Sequence, residues 1–359
     1  MESSTPRLEI YPQRIEENGR AVINAFHQHG AQVACVTKVI RAHPAVVDAM
    51  VAAGADMLAD ARIPNLETLM EYKSDLPRLL LRVPTPSQAL EVVRCSDYSL
   101  NSSLITLERL SLATNALNKN HSVIIMIELG DLREGIQPAD TVAFLRSATR
   151  FDGINIIGLG CNLACYGGVM PTAENMQQLV SLRDICRRET GLALDLLSGG
   201  NSSALPLLHS GDMPPEINHF RVGESILLGR NVLDRSPWPN TRQDAFRVVA
   251  EVIELEYKPS IPIGLRGQDA FGNQTEFVDR GFRHRAICNI GRQDILLEGL
   301  TPQDQGIFIL GASSDHLILD VEDADATLVV GQEISFFPNY GALLAASTSD
   351  YVIKVVLPG

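Results

Sequence analysis

The sequence predicts an α/β chain, a (β/α)8 barrel followed by a mostly β C-terminal domain. Three observations lead there. Short apolar runs alternate with longer amphipathic stretches from residue 8 to about 230, the texture of repeated strand-helix units around parallel strands. Beyond Asp234-Arg-Ser-Pro-Trp-Pro-Asn240, which breaks the pattern with two prolines, helical periodicity fades into short strands separated by Gly, Pro, Asp and Asn turns. At 359 residues, 45% of them hydrophobic, the chain can bury a large core and is long enough for two domains.

In chain order, the expected strands are Leu8–Tyr11, Gln32–Lys38, Asp56–Ala59, Arg78–Val83, Tyr98–Asn101, Val123–Leu129, Ile154–Gly160, Leu194–Ser198 and Phe220–Val222. The expected helices between them include Gln13–His29, Ala45–Ala53, Asn65–Lys73, Ser87–Val93, Leu104–Asn118 and Ala173–Thr190. A closed barrel takes eight strands, so one of these nine belongs elsewhere. An open doubly wound sheet is the alternative, and the number of consecutive units favours the barrel. The second domain is expected to carry strands at Val248–Leu255, Arg285–Ile290, Gly306–Leu310, Leu317–Val321, Glu333–Phe337 and Tyr351–Val356. The division is placed at 1–236 and 237–359, with no internal repeat or low-complexity segment.

A formal charge of −13 argues against a nucleic-acid or anionic-membrane binder, because phosphate contacts need clustered Lys and Arg. The six cysteines are scattered without the paired CxxC and His spacing of zinc, and fit free thiols in a reducing compartment. The start, Met-Glu-Ser-Ser-Thr-Pro, lacks the basic and apolar segments of a signal peptide, and no apolar run is long enough to span a bilayer. A cytoplasmic protein is expected.

Lys38 ends the apolar run Gln-Val-Ala-Cys-Val-Thr-Lys and carries an amine to the carboxyl end of a strand. Most lysines are solvated surface charges. One desolvated at such a point loses proton affinity and becomes a nucleophile toward an aldehyde, for which pyridoxal phosphate is the obvious candidate. That cofactor also needs a phosphate cradle and a partner for its ring nitrogen. Ser198-Gly-Gly-Asn-Ser-Ser203 and Arg221-Val-Gly-Glu-Ser225 follow late strands, where this architecture places its phosphate site; the plainer alternative is a pair of turns with an N-cap serine. Arg221, in an apolar context, is a partner for a ring nitrogen or one half of a salt bridge with Glu224 or another acid. Arg133, in Glu128-Leu-Gly-Asp-Leu-Arg-Glu-Gly135, either clamps a carboxylate or ring oxygen or joins an ion-pair network. In Gly160-Cys-Asn-Leu-Ala-Cys-Tyr-Gly-Gly168, Asn162 is a partner for ring oxygen or phosphate and Tyr166 a packing residue.

Together these segments resemble the fold-type III pyridoxal-phosphate racemases, the alanine racemase superfamily, most closely the branch acting on ornithine. The resemblance runs through Val36-Thr-Lys-Val-Ile40, Gly160 to Thr172, Ser198 to Ser203, Asn218 to Arg230 and Ile290-Gly-Arg-Gln-Asp294. It implies that Lys38 forms the Schiff base and serves as one acid/base group, and that Arg221 meets the pyridine nitrogen. It also implies that Asn201, Ser202, Gly223 and Tyr340 hold the phosphate, and that Arg133 supports the ring oxygen and the substrate carboxylate. A head-to-tail homodimer follows, with Asp315 of one copy's β domain facing the other's substrate.

Three departures from the alanine racemases stand out. Where they set a tyrosine of the second domain, this chain has Gln268-Asp-Ala-Phe-Gly-Asn273; Asn162 replaces their barrel histidine; and the lysine supporting their arginine is missing. The implied activity is racemisation of ornithine or a related basic amino acid, lysine or arginine, by two-base α-proton transfer. Asp269, His284, Cys161 and Asp315 are the candidates for the second base, and Asp269 or Asp315 alternatively holds the distal ammonium. The rivals are a basic-amino-acid decarboxylase, for which Cys288 would be the catalytic thiol, and a non-catalytic cofactor-binding protein built from a barrel alone.

Overall fold

The computed structural model describes residues 4–72, 75–274 and 276–358. The chain divides into two compact units, Pro12–Gln243 and Met1–Tyr11 with Asp244–Gly359.

The chain opens with β1 (Arg7–Ile10) and α1 (Pro12–Gln28). The strands that follow are β2 (Gln32–Val36), β3 (Met57–Asp60), β4 (Arg78–Leu80), β5 (Tyr98–Asn101), β6 (His121–Met126), β7 (Ile154–Gly160), β8 (Leu196–Ser198) and β9 (His219–Val222). They pair in parallel from each to the next, and β9 closes on β2, giving an eight-stranded barrel. The helices between them are α2 (Pro44–Ala52), α3 (Ile63–Glu71), α4 (Ala89–Cys95), α5 (Leu104–Leu117), α6 (Thr141–Ala148), α7 (Ala173–Thr190) and α8 (Leu205–His209), with α9 (Glu224–Leu228) following β9. The expected helix end at Lys73 lies outside the described residues.

Side chains alternate across a strand, so every second residue enters the barrel. Ala34 and Val36, Met57 and Ala59, Leu79, Leu100, and Ile124 with Met126 form a continuous buried cluster on that rule. The helices are set by their ends as much as by their stripes. Pro44 and Pro64 sit in the first turns of α2 and α3, where the missing N–H costs nothing. A capping box between Thr172 and Asn175 starts α7, and Gly191 ends it at φ 73°. On α1, Ile15, Val22, Ile23 and Phe26 are buried, and Phe26 meets Phe220 of β9 with ring centroids 4.6 Å apart. Burial of such a phenyl ring contributes about 1.5–3 kcal/mol.

The second unit is an eight-stranded sheet. Its strands are β1, β10 (Phe246–Pro259), β11 (Phe282–Cys288), β12 (Leu300–Pro302), β13 (Phe308–Ala312), β14 (Leu317–Asp320), β15 (Glu333–Pro338) and β16 (Ile353–Val356), with α10 (Tyr340–Thr348) between the last two. β1 is the ninth strand of the sequence count. It pairs antiparallel with β10 and parallel with β16, and all of its residues are buried. The expected division gave the chain's start to the barrel. A strand partnered on both edges belongs instead to the sheet that satisfies its backbone.

Candidate active site

β2 ends at Val36, two residues short of the expected end; Lys38 opens a 3-10 turn, Lys38–Ile40. Thr37 fixes the start of that turn by donating from Oγ1 to Asp60 Oδ2 at 2.7 Å and to the Ala59 carbonyl at 3.3 Å. The turn leaves through Arg41 and Ala42 at φ 52° and 54°, a left-handed region that side-chain-bearing residues adopt at a cost. Lys38 itself stays open to solvent. Its surroundings still crowd the amine: desolvation lowers its pKa, Cys165 opposes, Arg133 adds to the lowering, and Asp60 and Glu224 oppose.

Arg221 leaves β9 into the protein and is buried. Its Nη2 donates to the Cys161 carbonyl at 2.7 Å and its Nη1 to Ser198 Oγ. Among the described residues no carboxylate pairs with it, and Glu224 is taken by Arg235. The salt-bridge alternative for Arg221 is thereby removed. Burial pushes its guanidinium down to about 10. Behind it, Ser198 Oγ lies 2.8 Å from His219 Nδ1, and burial pushes that histidine down to about 3, so the ring is neutral.

The loop after β8 is compact. Asn201 donates from Nδ2 to the Leu163 carbonyl at 2.8 Å and to Asn162 Oδ1 at 3.3 Å, while its Oδ1 accepts Ser203 N–H at 2.8 Å. Its amide is thus engaged in bracing two loops. Ser202 Oγ accepts from the N–H groups of Gly223 and Ser225 at 3.4 and 3.3 Å, which joins this loop to the start of α9. Gly223 has no side chain because a Cβ there would stand 3.0 Å from Val36 Cβ. Asn162 Nδ2 and Ser203 Oγ are buried with no hydrogen-bond partner among the described residues.

The loops after β6 and β7 meet at Arg133. Both Nε and Nη2 of Arg133 bond to Glu134, and Nη1 lies 2.9 Å from Cys165 Sγ. The expected alternatives for Arg133 therefore resolve in part: its fork is already on a carboxylate. Glu128 accepts N–H bonds from Gly130, Leu132 and Arg133 at 2.5, 3.1 and 3.2 Å. Buried Asp131 accepts from Cys165, Tyr166 and Val169 at 3.3, 3.0 and 3.3 Å. The side chain of Tyr166 is exposed, not packed. Cys165, Asp60, Asp131 and Ser198 were not singled out from the sequence. The strand-end motifs containing Cys165, Asp131 and Ser198 hinted at their place, whereas Asp60 lies just past the expected strand and in none of them.

The strand ends of the first unit bring together Lys38, Arg133, Asn162, Asn201, Ser202, Arg221 and Gly223. Asp269, Asp315 and Tyr340 belong to the second unit. Asp269 accepts N–H bonds from Phe271 and Asn273 at 2.9 and 2.8 Å; the Asn273 bond leads in holding its carboxyl below the usual range, so it shapes its own turn and is a weak base. Asp315 is exposed and accepts from Ser314 Oγ at 2.5 Å. Tyr340 begins α10, behind the N-cap Asn339. Of the other second-base candidates, His284 is bound to Glu322 at 2.8 Å, and burial pushes the Cys161 thiol up to about 12. Cys288 is fully buried and likewise pushed up to about 12.

Two curated relatives match nearly the whole chain. An ornithine racemase from Acetoanaerobium sticklandii is 41% identical, the match covering 98% of this chain and 99% of that protein. A lysine racemase from Thermotoga maritima is 38% identical over the same shares. Among solved structures, alanine racemase from Clostridium difficile 630 superposes with a TM-score of 0.70 at 18% identity, covering 100% of this chain and 97% of that one, a likeness of fold. Residues 10–231 match the family described as alanine racemase, N-terminal domain, and with the two long matches this establishes that the chain belongs to the alanine racemase family.

Proposed function

We propose that this protein is a pyridoxal-phosphate-dependent amino-acid racemase acting on ornithine or a related basic amino acid. The observation that carries it is Arg221, a buried cation that among the described residues bonds only to neutral oxygens, at the same strand ends as a lysine of lowered proton affinity. A guanidinium without a carboxylate partner is costly unless a ligand's ring nitrogen takes one of its donors. The unpartnered Asn162 Nδ2 and Ser203 Oγ, with Ser202 and the Gly223 N–H nearby, suit a phosphate and a ring oxygen. The residues present fit the cofactor.

Bound pyridoxal phosphate supplies an aldehyde for the substrate amine and a conjugated ring that shares the electron pair left at the α-carbon. Lys38 would hold the cofactor through Nζ and, once the substrate amine has displaced that Nζ, would take or return the α-proton on one face. Arg221 would donate to the ring nitrogen while remaining protonated, which would restrain the ring as an electron sink and favour return of the proton. Arg133, with one edge on Glu134, offers the rest of its guanidinium to a substrate carboxylate or the ring oxygen. Asn201, Ser202, Gly223 and Tyr340 would hold the phosphate. We further infer a cytoplasmic homodimer whose β unit completes the partner's site. Asp315 supplies the second proton-transfer group or the anion for the distal ammonium, and Asp269 is the weaker candidate for either. Glu134 and Glu224 already carry arginine partners, which supports a distal-ammonium contact from outside the barrel.

Incubating the cofactor-loaded protein in D₂O with single L-amino acids, following α-proton loss and chirality together, tests the proposal. Exchange with racemisation confined to basic amino acids supports it. Absence of exchange across the panel refutes it, and released carbon dioxide would point to a decarboxylase, although the buried Cys288 speaks against that reading.

A further inference from the structure

We propose that Asp60 is a positioning residue for Lys38: its buried carboxylate holds the Thr37 hydroxyl that starts the Lys38 turn and places a negative charge at the strand end next to the one that carries the Lys38 amine. The inference rests on the role given to Lys38 above.

Asp60 ends β3, beside the end of β2, with Val36 paired to Ala59. It is wholly buried. A buried carboxylate is stable only when paired or fully hydrogen-bonded. Among the described residues no cation pairs with it; it is held by hydrogen bonds alone. Oδ2 accepts from Thr37 Oγ1 at 2.7 Å, and Oδ1 from Arg62 N–H at 2.9 Å and Asn65 Nδ2 at 3.0 Å. Three donors favour the anion, working against the burial that raises its pKa. A structural cap for the loop after β3 would need only the two bonds to Oδ1. The third reaches back to the residue immediately before Lys38.

The charge has a use. An amine that must alternately hold and release a proton works best when its affinity lies near the working pH. The groups facing Lys38 divide into two sets. Desolvation and Arg133, from the loop after β6, drive the proton off; Cys165 after β7, Asp60 at the end of β3 and Glu224 on α9 hold it on. Glu224 is already bonded to Arg235, which weakens its field at Lys38. Asp60 has no such partner among the described residues, and its burial leaves its field less screened than that of a surface acid.

The test measures Lys38 directly in the full-length protein freed of cofactor. Trace acetic anhydride labels neutral amines, and peptide mass spectrometry reads label at Lys38 against pH. Asp60→Asn keeps an oxygen for the Thr37 hydroxyl and removes the charge. Its Lys38 midpoint should fall by about one pH unit, giving about tenfold more label at a fixed pH below the midpoint. Asp60→Ser carries the same test should the asparagine variant fail to fold. Thr37→Val leaves the charge and removes the tether; it should keep the wild-type midpoint while losing affinity for pyridoxal phosphate, followed by absorbance. A wild-type midpoint in a folded Asp60 variant overturns the proposal, as does a Thr37→Val protein whose midpoint falls while cofactor affinity is unchanged. Labelling requires no turnover, so its outcome is separate from whether the protein racemises anything.

Discussion

Arg221 closes on Ser198 from the next strand of the chain: its Nη1 meets the serine hydroxyl, and the same hydroxyl lies 2.8 Å from His219 Nδ1. One small side chain therefore accepts from a buried cation and bonds to a buried neutral imidazole. Ser198→Ala leaves both without that partner, and loss of a hydrogen bond to a buried charge costs about 1.5–3 kcal/mol. The expected result is a lower melting temperature and a weaker grip on pyridoxal phosphate, with Ser198→Thr recovering part of each. Calorimetry and cofactor titration measure them. Unchanged values would mean that Arg221 is held by the Cys161 carbonyl alone.

Acid stability follows from two buried histidines. Burial pushes His121 down to about 4 and His219 down to about 3, against about 6.5 for a free imidazole. Below about pH 6.5 the unfolded chain binds protons at these rings and the folded chain does not, so stability falls as pH falls. The loss continues until about pH 4 for His121 and about pH 3 for His219, amounting to about 3 kcal/mol for the first ring and about 5 kcal/mol for the second. Above about pH 6.5 neither contributes any slope. Denaturant titrations from pH 4 to 7 should show the decline, with His219→Gln reducing the slope by about 1.4 kcal/mol per pH unit. Equal slopes for the two proteins would place a proton on His219 in the folded state.

Much of this site could be read from the chain because strand-end position is a linear property. An apolar run followed by Lys38, or by Gly199-Gly-Asn-Ser, names its own place in a barrel. What escaped lies across the sequence. Arg133 and Cys165 are 32 residues apart and meet only because β6 and β7 are neighbours. Asp131 reads as one more loop acid until three N–H groups from another loop converge on it. The fold errors have similar causes. β1 has the composition of a barrel strand, and only its pairing with β10 and β16 assigns it to the other sheet. Helix α10, Tyr-Gly-Ala-Leu-Leu-Ala-Ala-Ser-Thr, has no polar stripe to reveal its period.

Gly199 tests how tightly the loop after β8 is packed. A Cβ there would stand 2.4 Å from Ile217 Cγ2 and 2.7 Å from Phe220 Cε1, distances that force one of those core side chains or the loop itself to move. Overpacking of this kind costs about 1–3 kcal/mol. Gly199→Ala should therefore melt at a lower temperature. Because Asn201 and Ser202 lie two and three residues beyond, it should also bind pyridoxal phosphate more weakly. A melting temperature equal to the wild type would show that the loop gives way without cost.

Asp131 ties the loop that carries Arg133 to the loop that carries Cys165. Its carboxylate takes three backbone N–H groups of the second loop, and Gly167 lies so close that a Cβ there would be 2.8 Å from the Asp131 carbonyl. Glu128 organises the first loop in the same way. Neither acid has to touch substrate to matter, since Arg133 keeps its place between Glu134 and Cys165 only if both loops keep their form. Asp131→Ala removes all three acceptor contacts at once. The expected effect on racemisation is a rise in KM of about tenfold or more, the equivalent of one lost charged hydrogen bond, with a smaller fall in kcat. Limited proteolysis should cut the 161–169 segment faster than in the wild type, a change that loss of catalytic power alone would not produce. A variant with raised KM and unchanged proteolysis would place Asp131 in direct contact with substrate; one with neither change would show that the Arg133 contact to Cys165 holds the two loops without it.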